Sequence, residues 1–298
     1  MVRQYKIHTN LDGTDDKVWD VTNGKVRFYQ PSNLGLQSTN NIWQSNGIGV
    51  MGTRSITQPQ IEFKLETFGE SLEENYQLMK DFINDILNQK FVTLEYQTEI
   101  FQVYADLALA DVTKTEGYGK NGTFSEKITF DIITKWYTYE NLTFEMIQNG
   151  KVLSGKSKIY GGIAPGYYKY VKGTSYTYYG ETNIDRLSRW DIKDEIFSFM
   201  GILYPKLPKT PAGVRFLDDI GNEYTAIVFK TEELQDYILI NTDVNDETYQ
   251  GWKGTTALNL FPVMDFERYR TRIIEKGQME LINLSKAEFK VKRKADFV

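Results

Sequence analysis

The sequence contains no cysteine and only one histidine, His8, among its 298 residues. Without cysteine the chain has no disulfide, no thiolate ligand for zinc and no thiol nucleophile. A lone histidine excludes metal sites and acid/base schemes that need two or more histidines. We therefore interpret His8 as an ordinary structural residue beside the first turn.

Long hydrophobic runs are also missing. No apolar segment approaches the roughly 20 residues that span a bilayer, and the first ten residues lack the apolar core of a signal peptide. The net charge of -5 argues against a general nucleic-acid partner. We expect a chain that folds in a cytoplasm, with no membrane and no sequence-specific nucleic acid as partner. The basic residues between Lys286 and Lys294 alternate with Phe289 and Val291, which predicts a solvated strand face.

Catalytic and ligand-binding motifs are equally scarce. The stretch GIGVMG has the glycine spacing of a dinucleotide motif but lacks the helix that must follow it. Adjacent carboxylates such as Asp218-Asp219 and Glu232-Glu233 predict turns or solvated faces, because neighbours on a strand point in opposite directions. The acidic stretches 10–16 and 243–247 both lack the glycine at loop position six together with the glutamate at position twelve of a calcium loop. We expect no enzyme, no cofactor and no metal site.

The residues that are present favour strands. Turn dipeptides such as Asn23-Gly24, Asn46-Gly47 and Asn121-Gly122 separate runs of β-branched and aromatic residues, as hairpin connections do. One helix is predicted at about residues 71–89, where Ser71 and Glu74 form a capping box. Its apolar residues are expected on one stripe. They are Leu72, Tyr76, Met79, Phe82, Ile83, Ile86 and Leu87.

The chain is long enough for two domains, each with its own core. We predict a first domain over residues 1–136, with one helix packed on a sheet. A second domain is predicted over residues 137–298. The last strand is assigned to this second domain, with a return to the first domain as the alternative.

One segment of the first domain looks unsuited to a compact hairpin. Residues 30–54 are rich in asparagine, serine and glycine, yet they carry apolar residues without a helical period. Two interpretations stay open: a long loop folded on its own domain, or an extended hairpin that pairs with a neighbouring subunit. The candidate contact residues are Leu34, Leu36, Ile42, Trp43, Ile48, Val50 and Met51.

A second unusual segment holds seven of the 20 tyrosines and five glycines within residues 160–181. Tyrosine offers a large rigid contact surface, and glycine lets the backbone turn close to a partner. The alternative is a hairpin that packs on its own domain. The candidate partner-binding residues are Tyr160, Tyr167, Tyr168, Tyr170, Tyr176, Tyr178 and Tyr179.

The order of these segments resembles a known family. An initial strand set is followed by a glycine- and asparagine-rich stretch around Trp43, a capped helix at SLEENYQLMKDFINDIL, and a strand that runs into the aromatic stretch KWYTYE. The closing stretch IIEKGQMELINLSKAEFKVKR adds a turn and paired strands. Together these resemble the distal tail proteins of siphophages that infect Gram-positive bacteria, most closely those of lactococcal phages.

This resemblance implies a mainly β fold with a galectin-like β-sandwich as second domain. It also implies a hexameric ring of the first domains that joins the tail tube to the host-adsorption apparatus in the virion tail tip. The implied partners are further copies of the chain, the tail tube protein, a tail-tip protein and the receptor-binding protein. An insertion at about residues 147–188 would form an arm that holds the receptor-binding protein.

Two other functions stay open at the level of sequence. A carbohydrate-binding module would also be a β-sandwich, with Tyr167, Tyr178 and Trp252 as platforms for sugar rings. A cell-wall glycosidase would need a pair of carboxylates at a suitable separation, and the sequence offers no clear pair.

Overall fold

The computed structural model describes residues 3–35, 37–57, 60–114, 125–148, 151–152, 169–171, 176–180 and 189–295. The chain divides into two compact units. The first unit is Met1–Thr138 with Ala295–Val298, and the second is Tyr139–Lys294.

The first unit is an antiparallel β structure with one helix. Its strands pair in the order β2-β1-β7-β8-β9-β6-β3, while β4 and β5 form a separate two-stranded sheet. The elements are β1 (Gln4–His8), β2 (Val18–Asp20), β3 (Val26–Ser32), β4 (Gln37–Ser45), β5 (Ile48–Thr57), β6 (Ile61–Thr67), α1 (Leu72–Leu87), β7 (Val92–Gln97), β8 (Gln102–Thr113) and β9 (Ser125–Ile132). Strand β10 (Tyr137–Gln148) begins in this unit.

The seven-stranded sheet curls around its own core. In β6, buried and half-buried residues alternate along IEFKLET, as the two-residue period of a strand requires. The two ends of the sheet meet where the Phe28 amide donates to the Val21 carbonyl at 2.7 Å. Aromatic side chains fill the interior: Phe28 stacks on Phe63 and contacts Phe82 of α1 edge-on.

Helix α1 begins as the sequence predicts but buries only part of the predicted stripe. Ser71 Oγ accepts from the Glu74 amide at 3.1 Å, while the Glu74 carboxylate accepts from the Glu70 amide. Phe82 and Ile86 are buried, together with Asn75. Leu72, Tyr76 and Leu87 lie on the predicted stripe, but at its exposed edge, since each of these residues is more than half exposed.

Asn75 explains where the buried face of α1 begins. Its side chain accepts from the Gly69 amide at 2.6 Å and donates to the Ser71 carbonyl at 3.0 Å. This polar residue takes a buried position because its hydrogen bonds satisfy the chain that enters the helix. Packing is therefore centred on the Asn75 side of the apolar arc, and the other edge of that arc is left exposed.

The second unit is a β-sandwich. One sheet has the order β10-β22-β15-β18-β19-β20 and the other β14-β21-β16-β17. Its further elements are β11 (Lys151–Val152), β12 (Lys169–Val171), β13 (Tyr176–Gly180), β14 (Arg189–Ile192), β15 (Ile196–Pro205), β16 (Ala212–Leu217), β17 (Glu223–Phe229), β18 (Tyr237–Asn241), β19 (Thr248–Lys253), β20 (Thr256–Asn259), a 3-10 helix (Phe261–Val263), β21 (Gly277–Ile282) and β22 (Leu284–Lys294).

Both sheets of the second unit contribute to one core. Phe199 of β15 contacts Phe289 of β22 and Phe216 of β16, at centroid distances of 5.9 and 5.8 Å. The predicted fold class, mainly β with a single helix in the first part and a β-sandwich in the second, is confirmed. Strand β22 pairs with β15 in the second unit. The residue after it, Ala295, donates from its amide to the Trp136 carbonyl of the first unit.

The basic residues of β22 do not form a simple solvated face, so that prediction is wrong. Phe289 and Val291 are buried as expected, but Lys292 is also buried. Its Nζ lies 2.8 Å from Asp243 Oδ2, which compensates the ammonium charge. A register irregularity in β15 opposite this position interrupts the regular alternation.

Candidate functional site: an exposed hairpin and a tyrosine-rich strand pair

Strands β4 and β5 form a long antiparallel hairpin. Its register pairs Ser45 with Ile48, Trp43 with Val50 and Ile42 with Met51. Asn46 and Gly47 make the turn with φ values of 50° and 81°, the left-handed region that tight hairpin turns use. The structure shows the hairpin that one of the two interpretations requires, and its pairing with a neighbouring subunit stays a prediction.

Apolar side chains lie on both faces of this hairpin. Because directly opposed residues share a face, Trp43, Ile48 and Val50 form one face, which we call the Trp43 face. Ile42 and Met51 lie on the other. Trp43 is 69% exposed and Ile42 is 54% exposed, so neither face is covered by the part of the chain that the structure describes. Contiguous apolar surface of this kind marks an interaction site.

The hairpin carries almost no charge. Arg54 is the only charged residue among residues 37–57. Its Nε donates to Asn40 Oδ1 at 2.9 Å across the two strands. Depletion of charge with an exposed tryptophan is the composition of the buried centre of a protein interface.

The other two predicted contact residues behave differently. Leu34 is half-buried and packs against the core of the first unit. Leu36 lies outside the described residues. Five of the seven predicted residues are therefore brought together on the hairpin, and they are the ones that follow residue 37.

The predicted arm is described only in part. Tyr170 lies on β12, and Tyr176, Tyr178 and Tyr179 lie on β13. Strand β13 pairs in parallel with β10, with Thr143 opposite Tyr176, and antiparallel with β12. Tyr160, Tyr167 and Tyr168 lie outside the described residues. The described tyrosines thus share a strand pair that adds to a sheet of the second unit.

His8 occupies an unexpected environment. Its Nδ1 lies 2.6 Å from Asp16 Oδ2 and its Nε2 lies 2.9 Å from Glu95 Oε2. Burial raises the pKa of the Glu95 carboxyl, but the hydrogen bonds and charges of Lys6 and His8 outweigh burial, so the pKa lies below its usual range. The cluster ties β1, β7 and the loop after β1 together. No pattern in the sequence indicated it, because its partners are distant in the chain.

Two of the carboxylates considered for chemistry, Asp218 and Asp243, have structural partners. Asp218 Oδ1 accepts from the amides of Ile220 and Asn222 and so closes a turn. Asp243 forms an ion pair with Lys292. Within the part of the chain that the structure describes, no group of three or more histidine, aspartate or glutamate side chains is placed to hold a metal ion.

A groove of about 480 Å³ lies in the second unit between residues of β10, β15, β18, β19 and β22. Its lining includes Met200, Ile202 and Leu239 together with Phe289, an aromatic residue that is itself buried. Of the predicted sugar platforms, Tyr178 lies on β13, and Trp252 stacks on Tyr237 at a centroid distance of 5.9 Å. Among the described residues, no helix is both long and apolar enough to cross a membrane.

Comparison with known proteins decides the family. A model of the distal tail protein N-terminal domain matches residues 4–133, and a model of the Dit C-terminal domain matches residues 135–298. The chain belongs to the distal tail protein family. This confirms the resemblance found in the sequence, and with it the role of a structural phage tail protein.

Two distal tail proteins are similar to the chain over its whole length. That of Lactococcus phage p2 is 94% identical and that of Lactococcus phage SK1 is 91% identical, each over 100% of both chains. Among solved structures, a chain in the structure of the phage p2 baseplate in its activated conformation with Ca is similar to this chain. The match covers 100% of each chain, with a TM-score of 0.79 and 94% sequence identity. The Dit protein of phage SPP1 is 10% identical over 98% of this chain and 99% of its own, with a TM-score of 0.51, which shows a shared fold alone.

Proposed function

We propose that the protein forms a hexameric ring through its first unit and serves as the hub of a phage baseplate. The ring joins the tail tube protein to the tail-tip protein and the adsorption apparatus. The observation that carries this proposal is the β4–β5 hairpin, whose two apolar faces are uncovered in the single chain. A hairpin exposed on both sides is suited to lie between neighbouring copies, and closed rings are the common solution for repeated contacts of one kind.

The experiment compares the wild-type chain with Trp43→Asp by light scattering coupled to size exclusion. Wild type is expected to elute with the mass of six chains of 34.6 kDa. The variant is expected as a monomer that still unfolds cooperatively, because Trp43 is 69% exposed and does not belong to the described core of its unit. Wild-type monomers at high concentration, with tail proteins present, would contradict the proposal.

The second unit is proposed as a galectin-like platform, with residues 147–188 as an arm that holds the receptor-binding protein. Its tyrosine-rich composition and the described strands β12 and β13 support this role. One or two of the tyrosines, changed to alanine, are expected to weaken attachment by about 2 kcal/mol or more.

The test of the arm replaces residues 150–185 by a short glycine and serine linker. Titration of purified receptor-binding protein is expected to show loss of binding, while the ring mass stays unchanged. Equal binding by both forms would show that the arm has another role.

The role is proposed to be non-enzymatic, in the virion tail after assembly in the host cytoplasm. The partners found for the candidate carboxylates support a structural use of these residues. Incubation with purified cell-wall polysaccharide is expected to release no product, and titration with the same material tests the carbohydrate-binding alternative.

A further inference from the structure

His8 lies between two carboxylates on the sheet of the first unit. Its Nδ1 is 2.6 Å from Asp16 Oδ2, and its Nε2 is 2.9 Å from Glu95 Oε2. A neutral imidazole has one N–H donor and one lone pair, so one of its nitrogens would face a carboxylate oxygen without a proton between them. The imidazolium has two N–H donors and can donate to both oxygens at once. The geometry therefore requires the doubly protonated ring.

Burial makes this requirement strict. The side chains of His8 and Glu95 are 9% and 5% exposed, so little water reaches the contact between them. Two acceptors that face each other in a buried site lose the hydrogen bond and keep the cost of desolvation. A proton on Glu95 is also unfavourable, because its pKa, although raised by burial, is brought below the usual range by Lys6 and His8. The ring is therefore the place for the second proton.

The charges around His8 also favour a cation at its position. Lys6, two residues earlier on β1, donates to Glu95 Oε1 at 3.0 Å. Tyr104 of β8 stays a neutral phenol, since burial and then the charge of Glu95 raise its pKa. The loop after β1 and the strands β2, β7 and β8 carry more acidic groups than Lys6 can offset. They are Asp12, Asp16, Asp20, Glu95 and Asp106. An imidazolium compensates part of this negative charge.

The cluster holds the loop of residues 9–17 on the sheet. The Asp16 carboxylate contacts His8 through Oδ2 and accepts from the Asn10 amide through Oδ1, at 3.0 Å. Lys17, the next residue, pairs with Asp85 of α1 at 2.5 Å. The stretch from Asn10 to Asp16 is thus fixed through one carboxylate, and the contact of that carboxylate with the sheet depends on a proton of His8.

We propose that His8 is a pH-dependent clasp for the loop of residues 9–17. The imidazolium keeps Asp16, and with it the loop, on the sheet. When the ring releases one proton to solvent, one of the two hydrogen bonds is lost and a lone pair faces a carboxylate, so the loop opens. Histidine changes its charge between about pH 5 and 8. The closed loop is therefore favoured at the acidic end of this range and is lost as the pH rises.

The first test measures the opening of the loop by amide hydrogen exchange of residues 9–17 in the full chain, corrected for the intrinsic effect of pH on exchange. The closed loop binds one proton more than the open loop, so the opening constant rises at most tenfold per pH unit. Between pH 6 and 8 we expect a rise of about tenfold in wild type. His8→Gln is expected to remove this pH dependence, because glutamine does not titrate. The matched control is Asp15→Asn, an exposed carboxylate of the same loop, which should keep the wild-type behaviour.

The second test observes the proton itself. His8 is the only histidine, so histidine labelled with 13C and 15N gives one set of imidazole signals in the NMR spectrum of the full chain. The 15N shifts of the two ring nitrogens distinguish the imidazolium from the neutral tautomers. Wherever the amides of the loop are protected from exchange, both nitrogens are expected to carry protons. A neutral ring under a protected loop would overturn the inference without any substitution.

The remaining outcomes are equally distinct. A wild-type loop that opens to the same extent at pH 6 and 8 would overturn the inference, as would a rise with pH that persists in His8→Gln. Exchange of the buried strand β6, measured in the same samples, shows whether a variant is folded. If His8→Gln unfolds, Asp16→Asn removes the same contact from the side of the loop and is expected to abolish the pH dependence. The inference does not rest on the proposed ring, because every group in the cluster lies within the first unit.

Discussion

Two antiparallel strand pairs of similar length behave in opposite ways in this molecule. In the pair β15–β22, Phe199, Leu203 and Phe289 are buried in the core of the second unit. In the pair β4–β5, the large apolar side chains of both faces remain exposed. The backbone pairing is the same in kind, so the difference lies in what covers the side chains.

This contrast separates folding from assembly. Burial of a large apolar side chain contributes about 1.5 to 3 kcal/mol, and β22 gains this within the chain. The hairpin can gain it only from another surface. Substitutions in β22 should therefore change the stability of the subunit, whereas substitutions in the hairpin should change its association.

The largest expected effect is on Phe289. Phe289→Ala removes a ring that contacts Phe144 and Phe199, and is expected to cost about 3 to 5 kcal/mol of unfolding free energy. Trp43→Ala should change the unfolding free energy of dissociated subunits by less than about 0.5 kcal/mol. Denaturant titration measures the unfolding free energy of both variants. Comparable decreases would contradict the distinction between the two strand pairs.

A smaller effect is expected for the buried ion pair of β22. Lys292→Ala leaves Asp243 buried without its partner, at a cost of about 3 kcal/mol. The control is Lys253→Ala, which removes an exposed pair with Glu233 and should leave the melting temperature nearly unchanged. Thermal melts at one pH compare the melting temperatures of the two variants. An equal decrease for both would show that the buried ion pair of Lys292 contributes no more to stability than the exposed pair.

The smallest effect concerns the turn of the hairpin. Gly47→Ala puts a side chain at a φ of 81° and should weaken the hairpin by about 1 kcal/mol. Gly35→Ala serves as control, since no positive φ occurs there and a methyl group would meet nothing within 4 Å. The rate of amide hydrogen exchange in β4 and β5 measures the stability of the hairpin in each variant. Unchanged exchange in the Gly47 variant would mean that the turn does not limit the hairpin.

Local patterns predicted much of this structure. Turn dipeptides and alternation indicated the strands, and Ser71 marked the start of α1. The uncovered apolar residues of the hairpin could also be predicted, because Trp43 and its aliphatic neighbours had no helical period that would bury them on one side.

What the sequence could not provide were pairings between distant residues. The buried face of α1 depends on Asn75, whose hydrogen bonds to Gly69 and Ser71 make a polar residue fit the interior. Lys292 is buried because Asp243 meets it from 49 residues away. His8 meets Glu95 from 87 residues away. Periodicity describes one element at a time and contains no such information.

The central claim is that both faces of the hairpin are covered in the assembled ring. Val50→Cys and Met51→Cys place single thiols on opposite faces, and the natural chain has no other thiol. The rate of thiol labelling is measured for each variant in assembled rings and in dissociated subunits. The account predicts slow labelling of both positions in rings and rapid labelling of both in subunits. Rapid labelling of either position in intact rings would contradict it.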